Sequence, residues 1–201
     1  LAHDLFGLKI NVNCAPVLDG LFAETHGIIG DRSFGGSPET IAALGRATCE
    51  GLLSGGVLPV IKHIPGHGRA TLDSHEALPV VETPREELEA SDFHTFRLLA
   101  DMPIAMTAHV IYSAIDVEAP ATTSPTVIAE IIRGHIGFDG LLLSDDLSMK
   151  ALTGDLATRT KAALGAGCDV ALHCNGDFAE MAAVLEACGS LTAHAVERVA
   201  Q

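Results

Sequence analysis

Five short apolar runs punctuate the chain, at Lys9–Cys14, Val57–Ile61, Pro103–Thr107, Gly140–Leu143 and Asp169–His173. Each is short enough for a strand and apolar enough to be covered on both faces, which is the pattern of a buried parallel sheet. Between the runs lie segments with helix-start signals. Ser37-Pro38-Glu39, Thr83-Pro84-Arg85-Glu86 and Ser124-Pro125 each place a capping hydroxyl before a first-turn proline, and Thr83 with Glu86 has capping-box spacing. A further helix is predicted from about Leu156 to Gly165, where Gly165 and Gly167 can stop it, and weaker ones over Phe178–Ala187 and Leu191–Val199. Strand and helix alternating in this way require parallel strands joined by right-handed crossovers.

The polar residues fall in a regular place. After each apolar run comes a cluster: Cys14 to Asp19, Lys62 to Gly68, Ala108 to Tyr112, Ser144-Asp145-Asp146, and Cys174-Asn175-Gly176. Chemistry at the carboxyl end of every strand is the arrangement of a (β/α)8 TIM-type barrel. A doubly wound sheet, the second choice, would gather function at one switch point. Five strands supply only about five of the eight βα units. Leu1, Leu5 and Leu8 recur at helical spacing from the first residue, so the chain reads as beginning within a helix. The expectation is one catalytic barrel domain, residues 1–201, truncated at its N-terminal side.

Composition narrows the partners. A formal charge of −14, with no basic run, argues against a nucleic-acid or anionic-membrane surface. No apolar run approaches the roughly 18–20 residues of a membrane span, and no signal peptide opens the chain. The five cysteines are scattered and odd in number, which suggests a reduced, cytoplasmic protein with buried thiols.

Lys62-His63-Ile64-Pro65-Gly66-His67-Gly68, followed by Asp73-Ser74-His75, is the densest chemistry in the chain. Its glycines and proline predict a shaped loop. A carboxylate two residues from an imidazole can fix its tautomer and leave the other nitrogen to move protons, although the spacing taken alone favours an Asx-turn at Asp73 beside a solvent-exposed His75. Asp145 ends a buried strand next to Asp146. Because neighbouring strand residues point to opposite faces, at most one of the two is expected to face the barrel mouth, and Asp146 or Ser148 could instead cap the following helix.

These segments, together with Ala15-Pro16-Val17-Leu18-Asp19, Ile29-Gly30-Asp31-Arg32-Ser33, Ala108-His109-Val110-Ile111-Tyr112 and Ser144-Asp145-Asp146-Leu147-Ser148-Met149, closely resemble the bacterial β-N-acetylhexosaminidases of glycoside hydrolase family 3. Those are single-domain cytosolic enzymes of peptidoglycan recycling. The resemblance implies a retaining mechanism without cofactor or metal, on N-acetylglucosamine-containing muropeptides. It implies Asp145 as nucleophile, His75 as acid/base oriented by Asp73, and Arg32, Lys62 and His63 as ligands of the sugar hydroxyls. A histidine in place of the usual second carboxylate is chemically reasonable, since imidazole both gives and takes protons near neutrality. The family's Asp-Gln-Glu-Gly-Gly segment, which also binds the sugar, is absent from these residues. Two rival readings are a metal-dependent hydrolase using His63, His67, His75 and Asp73, and an inactive sugar-binding fragment. A third keeps the site but takes phosphate in place of water as acceptor.

Overall fold

The computed structural model describes residues 1–74 and 77–200. In chain order it places helix α1 at Ala2–Gly7, strand β1 at Val12–Asn13, α2 at Pro38–Ser54, β2 at Leu58–Ile64, β3 at Val80–Val81, α3 at Arg85–Ala90 and α4 at Asp92–Arg97. Then follow β4 at Ile104–Thr107, β5 at Ile111–Tyr112, a wide helix at Val127–His135, β6 at Leu141–Asp146, α5 at Leu156–Ala166, β7 at Val170–Leu172, α6 at Phe178–Cys188 and α7 at Ala193–Val199.

All five expected strands form, and they join one sheet in the order β1-β2-β4-β6-β7 with every pairing parallel. Each of these strands pairs with the next one along the chain. The order never reverses, so the sheet has no switch point and the doubly wound alternative is excluded. It is the sequential, helix-backed sheet of a TIM-type barrel, here a five-stranded arc.

Strand alternation divides the core in two. Ile61, Ala105 and Leu142 face outward into the main cluster, where they meet Ile41 and Cys49 of α2, Phe93 and Phe96 of α4, and Ile128 and Ile131 of the wide helix. Val60, Ile104 and Met106 face the other way and form a smaller cluster with Leu141, Leu143 and Leu172. That inner face is only partly covered: Val12 is 38% and Leu58 40% exposed.

Local signals acted as predicted at several ends. Ser37 caps α2, Gly167 ends α5 in the left-handed region at φ 119°, and Ser124 Oγ accepts from Val127 N at 3.0 Å ahead of the wide helix. The Thr83 capping box does not form. Helix α3 begins at Arg85 with Pro84 as its cap residue, so Thr83 stands one position too early to reach the open N–H groups. The paired strands β3 and β5 were not predicted, since two residues each are too few to carry a pattern. Burial of the thiols holds for Cys49 and Cys168 only; Cys14 and Cys174 are exposed.

The largest departure concerns the expected loop at Lys62. Strand β2 continues through Lys62, His63 and Ile64, and β6 continues through Ser144, Asp145 and Asp146. The apolar pattern stops where the strands leave the core for the mouth, while the hydrogen-bonded ladder goes on. Val17 pairs with Lys62 beyond the end of β1, and Leu18 N donates to Lys62 O at 2.7 Å, so the segment after β1 stays in register beside β2.

Candidate active site

The strand ends converge on a cavity of about 230 Å³. Arg32, Lys62, His63 and Asp145 all line it, with His67, Ser74, Asp146, Cys14 and Cys174. Four of the six residues singled out in the sequence therefore share one space. Asp73 is half-buried immediately before Ser74, and its main-chain carbonyl accepts from Ala77 N at 3.0 Å. His75 lies outside the described residues.

Asp145 comes to the cavity by strand arithmetic. Leu141 and Leu143 belong to the inner cluster, and the next residue on that face is Asp145. Its side chain is 9% exposed. Burial by itself would raise the carboxyl pKa, but neighbouring groups, His63 first among them, with the Asp146 N–H and Lys62, hold the pKa below the ordinary value. The N–H of Asp146 donates to Asp145 Oδ1 at 2.8 Å, and the N–H of Asp145 donates to Thr107 Oγ1 at 3.2 Å. The result is a buried, ionised and oriented carboxylate.

Asp146 also reaches the cavity, contrary to simple alternation, because the ladder shifts register between Leu143 and Asp146. Its oxygens are taken by local donors. Oδ1 accepts from Ser148 N at 3.0 Å and from Cys174 N at 3.1 Å, and Oδ2 accepts from Ser148 Oγ at 2.6 Å. It pins the β6 and β7 exits together.

Asp19 is a buried acid beneath the cavity residues His63 and His67, and reasoning from sequence gave it no role. Fully buried, it accepts from His63 Nδ1 at 2.6 Å, from His63 N at 3.2 Å and from His67 N at 2.6 Å. Desolvation opposes its charge, yet His63 and His67 lower its pKa overall. With Nδ1 committed to Asp19, Nε2 is the ring nitrogen of His63 left for a ligand. The available signal was an acid directly after the apolar pair Val17-Leu18, where a carboxylate has to find buried partners. His67 is held similarly, with Nε2 3.1 Å from Ser74 Oγ. Gly68 permits this turn, since a Cβ there would collide with the carbonyl of Gly20.

Removing the Asp19 carboxylate strands three buried donors. Asp19→Ala is expected to cost about 3 kcal/mol or more and to lower Tm by roughly 6–12 °C in a melting experiment. Because the folded-state pKa is depressed, Asp19's contribution is present above the unfolded value and lost as pH falls through the folded one. The acid limb of a stability–pH curve should therefore shrink in Asp19→Asn.

Arg32 sits in the single turn Gly30–Arg32, anchored by Nη1 donating to Ile28 O at 2.9 Å. With Lys62 it gives the cavity two cations against the two carboxylates Asp145 and Asp146, a balanced composition suited to a neutral, hydroxyl-rich ligand. Among the described residues no three His, Cys, Asp or Glu side chains are grouped to hold a metal ion.

This helix-backed barrel arc is shared with known proteins. The chain belongs to glycosyl hydrolase family 3, matching its N-terminal domain over residues 1–201. A β-hexosaminidase from Alkalilimnicola ehrlichii is 44% identical over 179 residues, 87% of this chain and 51% of that protein. One from Pseudomonas aeruginosa is 42% identical over 178 residues, 87% of this chain and 53% of that protein. The solved family 3 β-N-acetylglucosaminidase from Paenibacillus superposes with a TM-score of 0.88 at 34% identity, covering 99% of this chain and 40% of that one. The chain thus spans about half the length of the curated relatives it matches.

Proposed function

We propose that this chain forms the catalytic face of a retaining β-N-acetylhexosaminidase that releases terminal β-linked N-acetylglucosamine from peptidoglycan fragments in the cytoplasm. The observation that carries the reading is Asp145: a carboxylate at a strand end, held ionised, its main chain hydrogen-bonded on both sides, facing Lys62, His63 and Arg32 across one cavity. The relatives' names support the reaction. The five free cysteines suit a reducing compartment.

In this reading Asp145 attacks the anomeric carbon as the bond to the leaving oxygen breaks, forming a glycosyl ester. His75, oriented by Asp73, delivers a proton to that oxygen. It then takes a proton from water, which attacks the same carbon and releases Asp145. Arg32, Lys62 and His63 hold the hydroxyls. A fluorinated N-acetylglucosamine analogue that traps the ester should label the peptide at Asp145, and a label at Asp146 would overturn the assignment. His75→Ala should react slowly with poor leaving groups but form the ester at close to the unaltered rate with an activated phenol, which needs little protonation. An equal loss on both substrate types would assign His75 a structural role instead.

A further inference from the structure

Behind the cavity, one step removed from any ligand, lies a closed hydrogen-bond circuit that accounts for the placement of Asp145. His109 is fully buried just after β4, with Nε2 3.0 Å from the main-chain oxygen of Asp146 and Nδ1 2.7 Å from Thr122 Oγ1. A carbonyl can only accept, so Nε2 carries the hydrogen. Burial, the dominant influence, lowers the pKa of His109 despite the opposing charge of Asp145. The ring is then neutral and Nδ1 is an acceptor. Thr122 has one hydroxyl hydrogen, and Nδ1 at 2.7 Å is nearer to it than the Ala108 carbonyl at 3.1 Å. Thr107 Oγ1, 2.8 Å from Thr122 Oγ1, donates to it in turn and accepts from Asp145 N.

The direction of every hydrogen follows. Asp145 N–H points to Thr107, Thr107 to Thr122, Thr122 to His109, and His109 to the carbonyl of Asp146. The circuit grips the Asp145–Asp146 main chain at both ends. The peptide N–H between those ends is the one that orients the Asp145 carboxylate. Thr107, Thr122 and His109 are each fully buried, so solvent offers no substitute partner.

We infer that His109, acting through Thr122 and Thr107, is a positioning residue for the nucleophile, and that it sets the attack geometry of Asp145 without touching the sugar. This rests on the assignment of Asp145 above. A displacement of about 1 Å in a reacting group costs roughly 100-fold in rate, so the circuit should govern turnover and leave sugar binding alone.

The test is made on the complete protein. His109→Ala should lower kcat about 100-fold with KM changed less than about 3-fold, and should slow ester formation in single turnover to the same extent. His109→Gln, whose amide can place an N–H near the Asp146 carbonyl, should recover at least tenfold of that loss. Thr122→Val keeps the shape without the hydroxyl and should lower kcat roughly tenfold, with Thr122→Ser recovering most of it. A melting curve for each variant separates loss of folded protein from loss of rate. The inference is overturned if folded His109→Ala and Thr122→Val turn over at the unaltered rate, if they change KM alone, or if Gln and Ser rescue nothing. Asp145→Ala assayed alongside distinguishes the two levels: full activity there removes the functional reading itself, whereas an inactive Asp145→Ala beside a fully active His109→Ala removes only the positioning role.

Discussion

Asp145→Ala in the complete protein is expected to reduce hexosaminidase turnover by at least about 10³-fold, equivalent to about 4 kcal/mol of transition-state stabilisation, with the fold retained. The expectation follows from position as much as chemistry. Asp145 continues the inward row Leu141-Leu143, and its ionised state is maintained by His63, the Asp146 N–H and Lys62. Because neighbouring groups hold its pKa below the ordinary value, the folded state favours this charge, so truncation should also cost some stability while the fold is retained and the rate collapses. A circular-dichroism melt and a chromogenic N-acetylglucosaminide assay on the same preparation check both halves. Residual turnover within tenfold of the unaltered protein would locate the nucleophile elsewhere.

The second large effect concerns the barrel itself. We expect a polypeptide of these 201 residues alone to be poorly soluble or molten and to show no measurable activity, whereas a longer version that adds the upstream βα units should be active. Two observations support this. The sheet is a parallel arc whose outer strands, β1 and β7, each pair on one side among the described residues. Apolar side chains crowd its open parts: Leu1, Phe6, Leu8 and Ile10 around α1, Val12 and Leu58 on the inner face, and Phe178, 84% exposed, on α6. Open strand edges and exposed core promote association. The sugar would also lack the wall given in the family by Asp-Gln-Glu-Gly-Gly. A soluble, cooperatively melting 201-residue chain that turns over substrate would refute the truncated-domain proposal.

Much of this architecture could be read from the residues. Strand positions were legible because each strand's apolar core stretch stands between Gly, Pro or capping residues, and barrel order was legible because polar clusters recur at every strand exit. Strand ends were not. Lys62-His63 looks like loop by hydropathy, since a barrel mouth is polar even where the ladder continues, whereas Asp145 stands at the strand end where it was expected. Asp145, Lys62, His63 and Arg32 were found by motif, and the structure brings them into one cavity. Asp19 and the Thr107–Thr122–His109 circuit escaped notice for a different reason. Their partners lie 44 and 37 residues away along the chain, in the Asp19–His63 and His109–Asp146 contacts, and no local spacing encodes such a meeting.

The bonds that occupy Asp146 leave this site without a spare. Two carboxylates in succession at a strand tip look like insurance, since loss of one would leave another within reach of the same cavity. Asp146, however, already accepts from Ser148 and Cys174 on both oxygens, and attacking a sugar would mean undoing the clasp between the β6 and β7 exits. On the mechanism proposed above, any lineage that changes the codon for Asp145 therefore forfeits the chemistry outright instead of handing it to a neighbour.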